Sequence, residues 1–366
     1  MENNKQLKPL SNSGVIERPP YPKDWIAGQE TGIELVDIIK KDNWSNYLPS
    51  NERQIFKYFD SFACVTFSAL NCVETQINFM VKHNLIPDEK LQKLKEWGYF
   101  DENGNFNVSD RFTAKMSGTT KLGNYMTNIW ESIRKDGLVP EKMWPAGSEF
   151  VWDKYYEEIP QEIKDFGKNF LEIFQVNYEF VVVYDSDYAE RIKKHLQQAP
   201  LHIAAPVCPP WNTDKVLEAC GDRKASHATM IYGYTDSDYF NDFDHYNPFQ
   251  KKLDWEYYIP FAIKGVVTIS KDKEDVELKN PGKFTKDLCI GMRSPDVKRL
   301  QDALKSLNIF PKEVISTGYY GRITQVAVRE FQSKYQVAGL EELSSVYGRR
   351  VGLKTRSKLN EIFKNL

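Results

Sequence analysis

The sequence predicts an α+β protein: a two-lobed domain, one lobe helical and one β-rich, followed by a small module of three helices. Three features carry this. Helical patterning dominates to about residue 175, and short runs rich in β-branched and aromatic residues fill 178–270. A charged stretch, 271–287, then precedes renewed amphipathic helix. Helices first and strands later indicate α+β rather than alternating α/β architecture.

Composition narrows the function. The 366 residues are 41% hydrophobic and 27% charged, which describes a globular chain able to build sizeable cores. A net charge of -2 provides no field of one sign, so nucleic acid and anionic membrane surfaces are not the expected partners. The N-terminus has no apolar segment of the signal-peptide kind and nowhere do about 18 apolar residues run together, so neither a membrane span nor ordinary secretion is expected, and synthesis is cytoplasmic. Five cysteines (64, 72, 208, 220, 289) are odd in number and form no C-x-x-C pair, which argues against a disulfide framework or a zinc site.

Taken in order, residues 1–24 are polar and close on Pro19, Pro20 and Pro22, reading as a surface arm. The main domain spans 25–270 and opens with a short helical candidate at Ile33 to Ile39. Phe67, Leu70, Ile77 and Val81, widened by Val73 and Met80, form an apolar stripe that predicts a helix from Cys64 to Lys82. Turn signals at 101–104 and the polar stretch "SGTTKLGN" (117–124) precede a helix over Tyr125 to Lys135. Strands are expected at 178–184, 201–207, 227–234, 257–263 and 265–270. A linker, 271–287, contains Pro281 and Gly282, and 288–366 forms the module, with helices marked by Val297, Leu300 and Leu304, by Ala327 and Phe331, and by Leu359 and Phe363.

Cys64 stands where its helix begins, and the unpaired N–H groups and dipole of a helix N-terminus favour a thiolate. Most helix cysteines are nonetheless packed hydrophobes, so a base has to be found. Of five histidines, His227 opens a strongly strand-like run, "SHATMIYGY"; His202 also sits in a strand pattern, while His83 and His195 end charged helical stretches. An orienting group is available in Asp244, 17 residues on, where a hairpin would return it to the histidine; Asp242 and Asn241 compete for that role. Asp236, Asp238, Asp242 and Asp244 lack EF-hand spacing and read as a solvated acidic turn, so no metal is expected.

"ACVTFSALNCVE", "DGLVPEKMWP", "APLHIAAPV" and "SHATMIYGY" occur in an order that resembles papain-like cysteine peptidases. The resemblance implies the two-lobed papain-like fold, a Cys64–His227 ion pair and no cofactor. It aligns "DHYN" with N-S-W-G, so that Asp244 replaces an orienting asparagine and Tyr246 a shielding tryptophan at the substrate cleft; Val65 replaces another tryptophan. Tyr58 stands where the family's oxyanion glutamine lies, and Gln54, ten residues before the cysteine, becomes the candidate donor beside the Cys64 amide. Gly118 and Gly123 correspond to the wall along which extended substrate runs.

The C-terminal stretches "GMRSPDVKRLQDALKSLNI", "TGYYGRITQVAVREFQSKYQVAG" and "GRRVGLKTRSKL" resemble the peptidoglycan-binding-like three-helix domain. Thr324 is expected as a helix N-cap, the apolar matches as core, and Tyr319, Tyr320, Arg322 and Gln325 as exposed wall contacts. Together the two resemblances imply a cysteine peptidase acting on peptidoglycan or a wall-associated protein, at the wall or periplasm, as a phage lysin or a particle component among other phage proteins. The competing expectation is a catalytically weak structural or binding protein of a phage particle.

Overall fold

The computed structural model describes residues 14–17, 43–181, 183, 187–221, 224–235, 239–270, 281–307, 309–310, 316–337 and 346–364. The expected helix at 33–39, most of the arm, Asp236, Asp238 and the linker residues 271–280 lie outside them. The described chain falls into two compact units, 14–17 with 43–270, and 281–364.

The first unit opens with its central helix, α1 (Cys64–Lys82), at the bounds the apolar stripe predicts. Every residue from Cys64 to Asn78 is buried. The helix is therefore enclosed rather than half-exposed, and its polar side chains pair with backbone that would otherwise be orphaned. Glu74 Oε1 accepts from Val108 N at 2.8 Å, Asn78 Oδ1 from Phe106 N at 2.8 Å, and Gln76 bridges Gly265 O and Val267 N, each at 3.1 Å. Helices α2 (Asp88–Trp97), α3 (Asp110–Met116), α4 (Met126–Asp136), α5 (Trp152–Tyr155) and α6 (Gln161–Ile173) complete the helical part. The Ser109 side chain caps α3 through Phe112 N, and Gly98 closes α2 in the left-handed conformation that glycine adopts without strain.

A seven-stranded sheet forms the other part: β1 (Phe174–Val181), then α7 (Tyr188–Leu196), β2 (Leu201–Ala205), β3 (Val216–Leu217), β4 (His227–Tyr234), β5 (Tyr239–Phe243), β6 (Gln250–Asp254) and β7 (Phe261–Ile269). Spatial order is β1-β7-β2-β4-β5-β6-β3, antiparallel except for β3 against β6. Helix α1 packs across β4, β7 and β2. Leu201, Ile203, Ile231, Phe240, Leu253 and Ala262 build the core on the sheet.

Three expectations are corrected. The runs at 257–263 and 265–270 are not two strands: β7 runs unbroken through Gly265, whose glycine makes room for Trp130, the ring lying 2.0 Å from where a Cβ would be. Asp242 and Asp244, expected in a solvated acidic turn, are both fully buried, because the β5–β6 hairpin folds them inward. Cys208 and Cys220 form a disulfide across the segment joining β2 to β4, leaving Cys64, Cys72 and Cys289 free.

The second unit contains α8 (Pro295–Ser306), α9 (Arg322–Lys334) and α10 (Leu353–Ile362), with a short antiparallel pair, β8 (Leu288–Cys289) and β9 (Arg350–Val351). Val297, Leu300, Leu304, Val328, Phe331, Val351 and Leu359 form its core. Among the described residues, no helix is long and apolar enough to cross a membrane.

Candidate active site

Cys64 is the first residue of α1 and His227 the first of β4, and these two elements pack on each other. Because β5 returns antiparallel to β4, with Met230 opposite Phe243, the residue after β5 comes back to the end of the sheet where β4 begins. That residue is Asp244. His227 Nε2 and Asp244 Oδ1 lie 2.7 Å apart, at 1% and 0% exposure. The other imidazole nitrogen, Nδ1, is buried and makes no hydrogen bond among the described residues. Asn241, one of the competitors, lies within β5 opposite Gly233 and Lys252, further along the strand. Asp242 is fully buried, and its carboxyl is pushed up to about 8 by burial and by the Asp244 charge, which makes it a neutral neighbour at pH 7.

Asp244 is held on all sides. Its Oδ1 also accepts from His245 N at 2.7 Å, while Oδ2 takes Trp211 Nε1–H and the Lys251 ammonium, both at 2.9 Å. Burial opposes its charge, but His227 and Lys251 outweigh that cost and hold the carboxyl well below the usual carboxylate range. Trp211 also stands edge-on to the His227 ring, 5.6 Å between centroids. Burial pushes the Cys64 thiol well up; a hydrogen bond from the Ala228 backbone works the other way, and the charges of Asp60 and Asp244 add to the rise.

The oxyanion candidate is brought to the site. Residues 54–61 fold back on themselves, Ile55 bridging Asp60 and Ser61 N bonding Gln54 O at 3.0 Å, so the extra residues form a small loop and Gln54 lies beside the chain entering α1. Its Nε2 donates to Asp60 Oδ1 at 2.8 Å and to Tyr246 OH at 2.7 Å, so both amide protons are engaged. Tyr246, 5.1 Å from the His227 ring, in turn donates to Asp60 Oδ2 at 2.5 Å. Phe62, two residues before the cysteine, sits at φ 53°, a strained backbone for a bulky residue.

Gly123 is buried at φ 91° and its Cβ position is filled by the backbone of Gly14, whereas Gly118, at φ 82°, is exposed and has nothing against it. Residues 14–17 run beside Gly123 and Asn124. Asn124 N bonds Gly14 O at 2.8 Å, Ile16 N bonds Asn124 O at 2.9 Å, and Glu17 accepts from Ala225 N, two residues before His227.

His227, Asp244 and His245 set three ligand-type atoms within 4.8 Å. The Lys251 ammonium already occupies the cation's place against that carboxylate, and a dication would be repelled by it. Burial lowers the His245 ring to about 3, so it is neutral.

In the second unit, residues 293–338 match a family model whose description is "Putative peptidoglycan binding domain".

A search of curated proteins finds no relative. Among solved structures the chain is similar to xylellain, a cysteine protease from Xylella fastidiosa, at 16% identity and TM-score 0.47 over 74% of this chain and 99% of that one. It is similar to the bromelain protease from Ananas comosus at 11% identity and TM-score 0.40, over 63% and 98%. A third is the proform of the Amb a 11 cysteine protease, a major ragweed pollen allergen, at 12% identity and TM-score 0.43 over 67% and 72%.

Within the peptidoglycan-binding match, the glutamines and threonines of the pattern turn out to be structural. Gln301 is fully buried, donating to Tyr319 O at 2.9 Å and Thr324 Oγ1 at 2.8 Å and accepting from Gly318 N. Thr324 is therefore not the N-cap: that position is Gly321. Two of the four expected contact residues are also inside. Tyr320, just before α9, is fully buried with its hydroxyl on Gly348 O, and Gln325, in the first turn of α9, is turned inward and bonds Tyr347 O. Arg322 is exposed, and Tyr319 is half-buried beneath the Arg293 guanidinium, 5.1 Å from its ring centroid.

Sequence reasoning missed Trp211, Asp60, His245 and Lys251. His245 stands inside the aligned "DHYN" segment, next to Asp244, whereas Trp211, Asp60 and Lys251 follow no motif and reach the site only through the folding of a loop or hairpin.

Proposed function

We propose that the chain is a cysteine peptidase directed to the bacterial cell wall by its C-terminal unit, with Cys64 as nucleophile, His227 as base and acid, and Asp244 as the group that orients the imidazole. The observation that carries this is the 2.7 Å contact between His227 Nε2 and Asp244 Oδ1, with the other ring nitrogen unengaged and β4 packed on the helix that begins at Cys64. Transfer of the thiol proton to His227 gives the ion pair; the thiolate attacks an amide carbonyl, imidazolium protonates the departing amine, and water hydrolyses the thioester. The Cys64 amide and Gln54 stabilise the oxyanion, Gln54 exchanging one bond to Asp60 or Tyr246 for it. Gly123 and Asn124 form the substrate wall, with Gly118 and Tyr246 at the cleft. Tyr319 and Arg322 are the wall-contact candidates left at the surface of the C-terminal unit. Release as a lysin, or carriage on a phage particle, would bring such an enzyme to its substrate.

The second reading, a scaffold without turnover, is favoured by one observation: Cys64 is 0% exposed. The deciding experiment incubates the full chain, and a chain lacking residues 1–17, with purified peptidoglycan and with casein, each against its Cys64→Ser variant, scoring new amino groups. The shortened chain is included because Gly14 and Ile16 occupy Asn124. Cleavage lost in Cys64→Ser supports the peptidase, and the preferred substrate separates wall peptide from protein. No release by either form from either substrate establishes the scaffold reading.

A further inference from the structure

Lys251 is 2% exposed, and its three ammonium protons are all engaged: Tyr246 O at 2.7 Å, Pro248 O, and Asp244 Oδ2 at 2.9 Å. Two of these acceptors belong to the turn that carries Asp244, so the lysine ties that turn to β6. Stability alone is a weak reason for such an arrangement, because a buried ion pair gains little over a well-packed apolar pair. The site itself offers a stronger one. A neutral amide at 244 would orient the imidazole without help, whereas a carboxylate adds a buried negative charge beside a thiol that must ionise. The groups facing that charge are His227 from β4, Asp242 from β5, His245 and Tyr246 in the turn, Trp211 from the disulfide-closed segment, and Cys64 and Asp60 at the head of α1. To this set Lys251 adds its ammonium, 2.9 Å from Asp244 Oδ2.

We propose that Lys251 is a positioning residue for the proposed reaction: it keeps Asp244 anionic, turns Oδ1 to His227 while holding Oδ2, and offsets the charge that would otherwise suppress the Cys64 thiolate. The proposal rests on the peptidase reading for its catalytic meaning, but its geometry can be tested without turnover.

The experiment compares wild type, Lys251→Met, Asp244→Asn and the neutral double variant Asp244→Asn/Lys251→Met. It follows Cys64 alkylation by iodoacetamide against pH, peptide hydrolysis, and the proton resonance of His227 Nε2–H. Loss of the cation is expected to move the alkylation profile to higher pH, to lower kcat/KM by roughly 10- to 100-fold, the size of loss typical when a hydrogen bond that orients a metal ligand is removed, and to shift the resonance. The double variant, with neither buried charge, is expected to recover to within about tenfold of wild type, on the reasoning that removing both partners costs less than removing one. Superimposable profiles and an unchanged resonance in Lys251→Met overturn the proposal, as does a folded double variant no better than the single. Should Lys251→Met not fold, the double variant decides: folded and reactive supports the charge pairing, folded and unreactive overturns it. A resonance that responds in a chain that hydrolyses nothing keeps the Lys251 assignment and discards the peptidase reading.

Discussion

The site is built from residues whose chemistry depends on what encloses them. Asp60, Tyr246 and Gln54 show this most directly: one phenol hydroxyl donates to the carboxylate and accepts from the amide, so all three settle together beside the start of α1. Tyr246→Phe keeps the ring against His227 but leaves two largely buried polar groups one partner short, which costs about 1–3 kcal/mol. Urea unfolding should show that loss; a change under about 0.5 kcal/mol, the usual size at an indifferent surface position, would mean the network contributes nothing to folding. Cys64 and Cys72 illustrate the limits of residue type. Both are buried in the same helix, and what distinguishes them is position, Cys64 at the N-terminus against β4 and Cys72 two turns into the core.

At the scale of elements, the pairing of α1 with the sheet brings nucleophile and base candidates to one end, and the β5–β6 hairpin brings the carboxylate. Helix α4 is part of the same support. Trp130 is fully buried, donates to His202 Nδ1 at 3.1 Å, and lies over Gly265 in β7. Gly265→Ala would put a methyl group 2.0 Å from the indole, and the overpacking should cost about 1–3 kcal/mol. The check is a lower denaturant midpoint with unchanged slope; an unaltered midpoint would show that α4 shifts freely. A charged residue between two apolar runs, Lys264, reads in sequence as a break, which is why β7 is expected as two strands; in the fold that lysine is buried against Glu179 at 2.7 Å, beside Gly265.

For the molecule as a whole, charge burial sets a pH dependence. Glu52, Glu74, Asp110 and Glu141, from four separate segments, lie close enough to interact, and desolvation raises all four, Glu141 to about 8. Asp242 is likewise raised to about 8. A carboxyl raised on folding binds its proton in the native state while the unfolded chain has lost it, so stability falls as pH rises from the unfolded value to the folded one. His195, His202 and His245, lowered to about 3 by burial, contribute the opposite slope, but only up to their unfolded value of 6.5. Stability should therefore decline between pH 6.5 and 8, by about 1.4 kcal/mol per pH unit for each proton released, and Glu141→Gln should flatten the decline. Urea titrations at pH 6.5, 7.2 and 8 measure it; stability rising over that interval would contradict the cluster.

The same contrast between local and long-range information separates what was legible in the chain. Periodicity alone determined the α+β class, the bounds of α1 and β4, and the three helices of the second unit, because 3.6- and 2-residue repeats are properties of contiguous residues. Motif order pointed to Cys64, His227 and Asp244 together, and spacing allowed Gln54. Tertiary structure decided the rest: that Gln54 gives both amide protons to Asp60 and Tyr246, that Tyr320 and Gln325 face inward, that Cys208 meets Cys220, and that Lys251 and Trp211 close on Asp244. Each of these joins residues distant in the chain or turns a polar side chain inward, and such contacts leave no periodic trace. Their energy comes from desolvation and geometry, which exist only once the chain has folded.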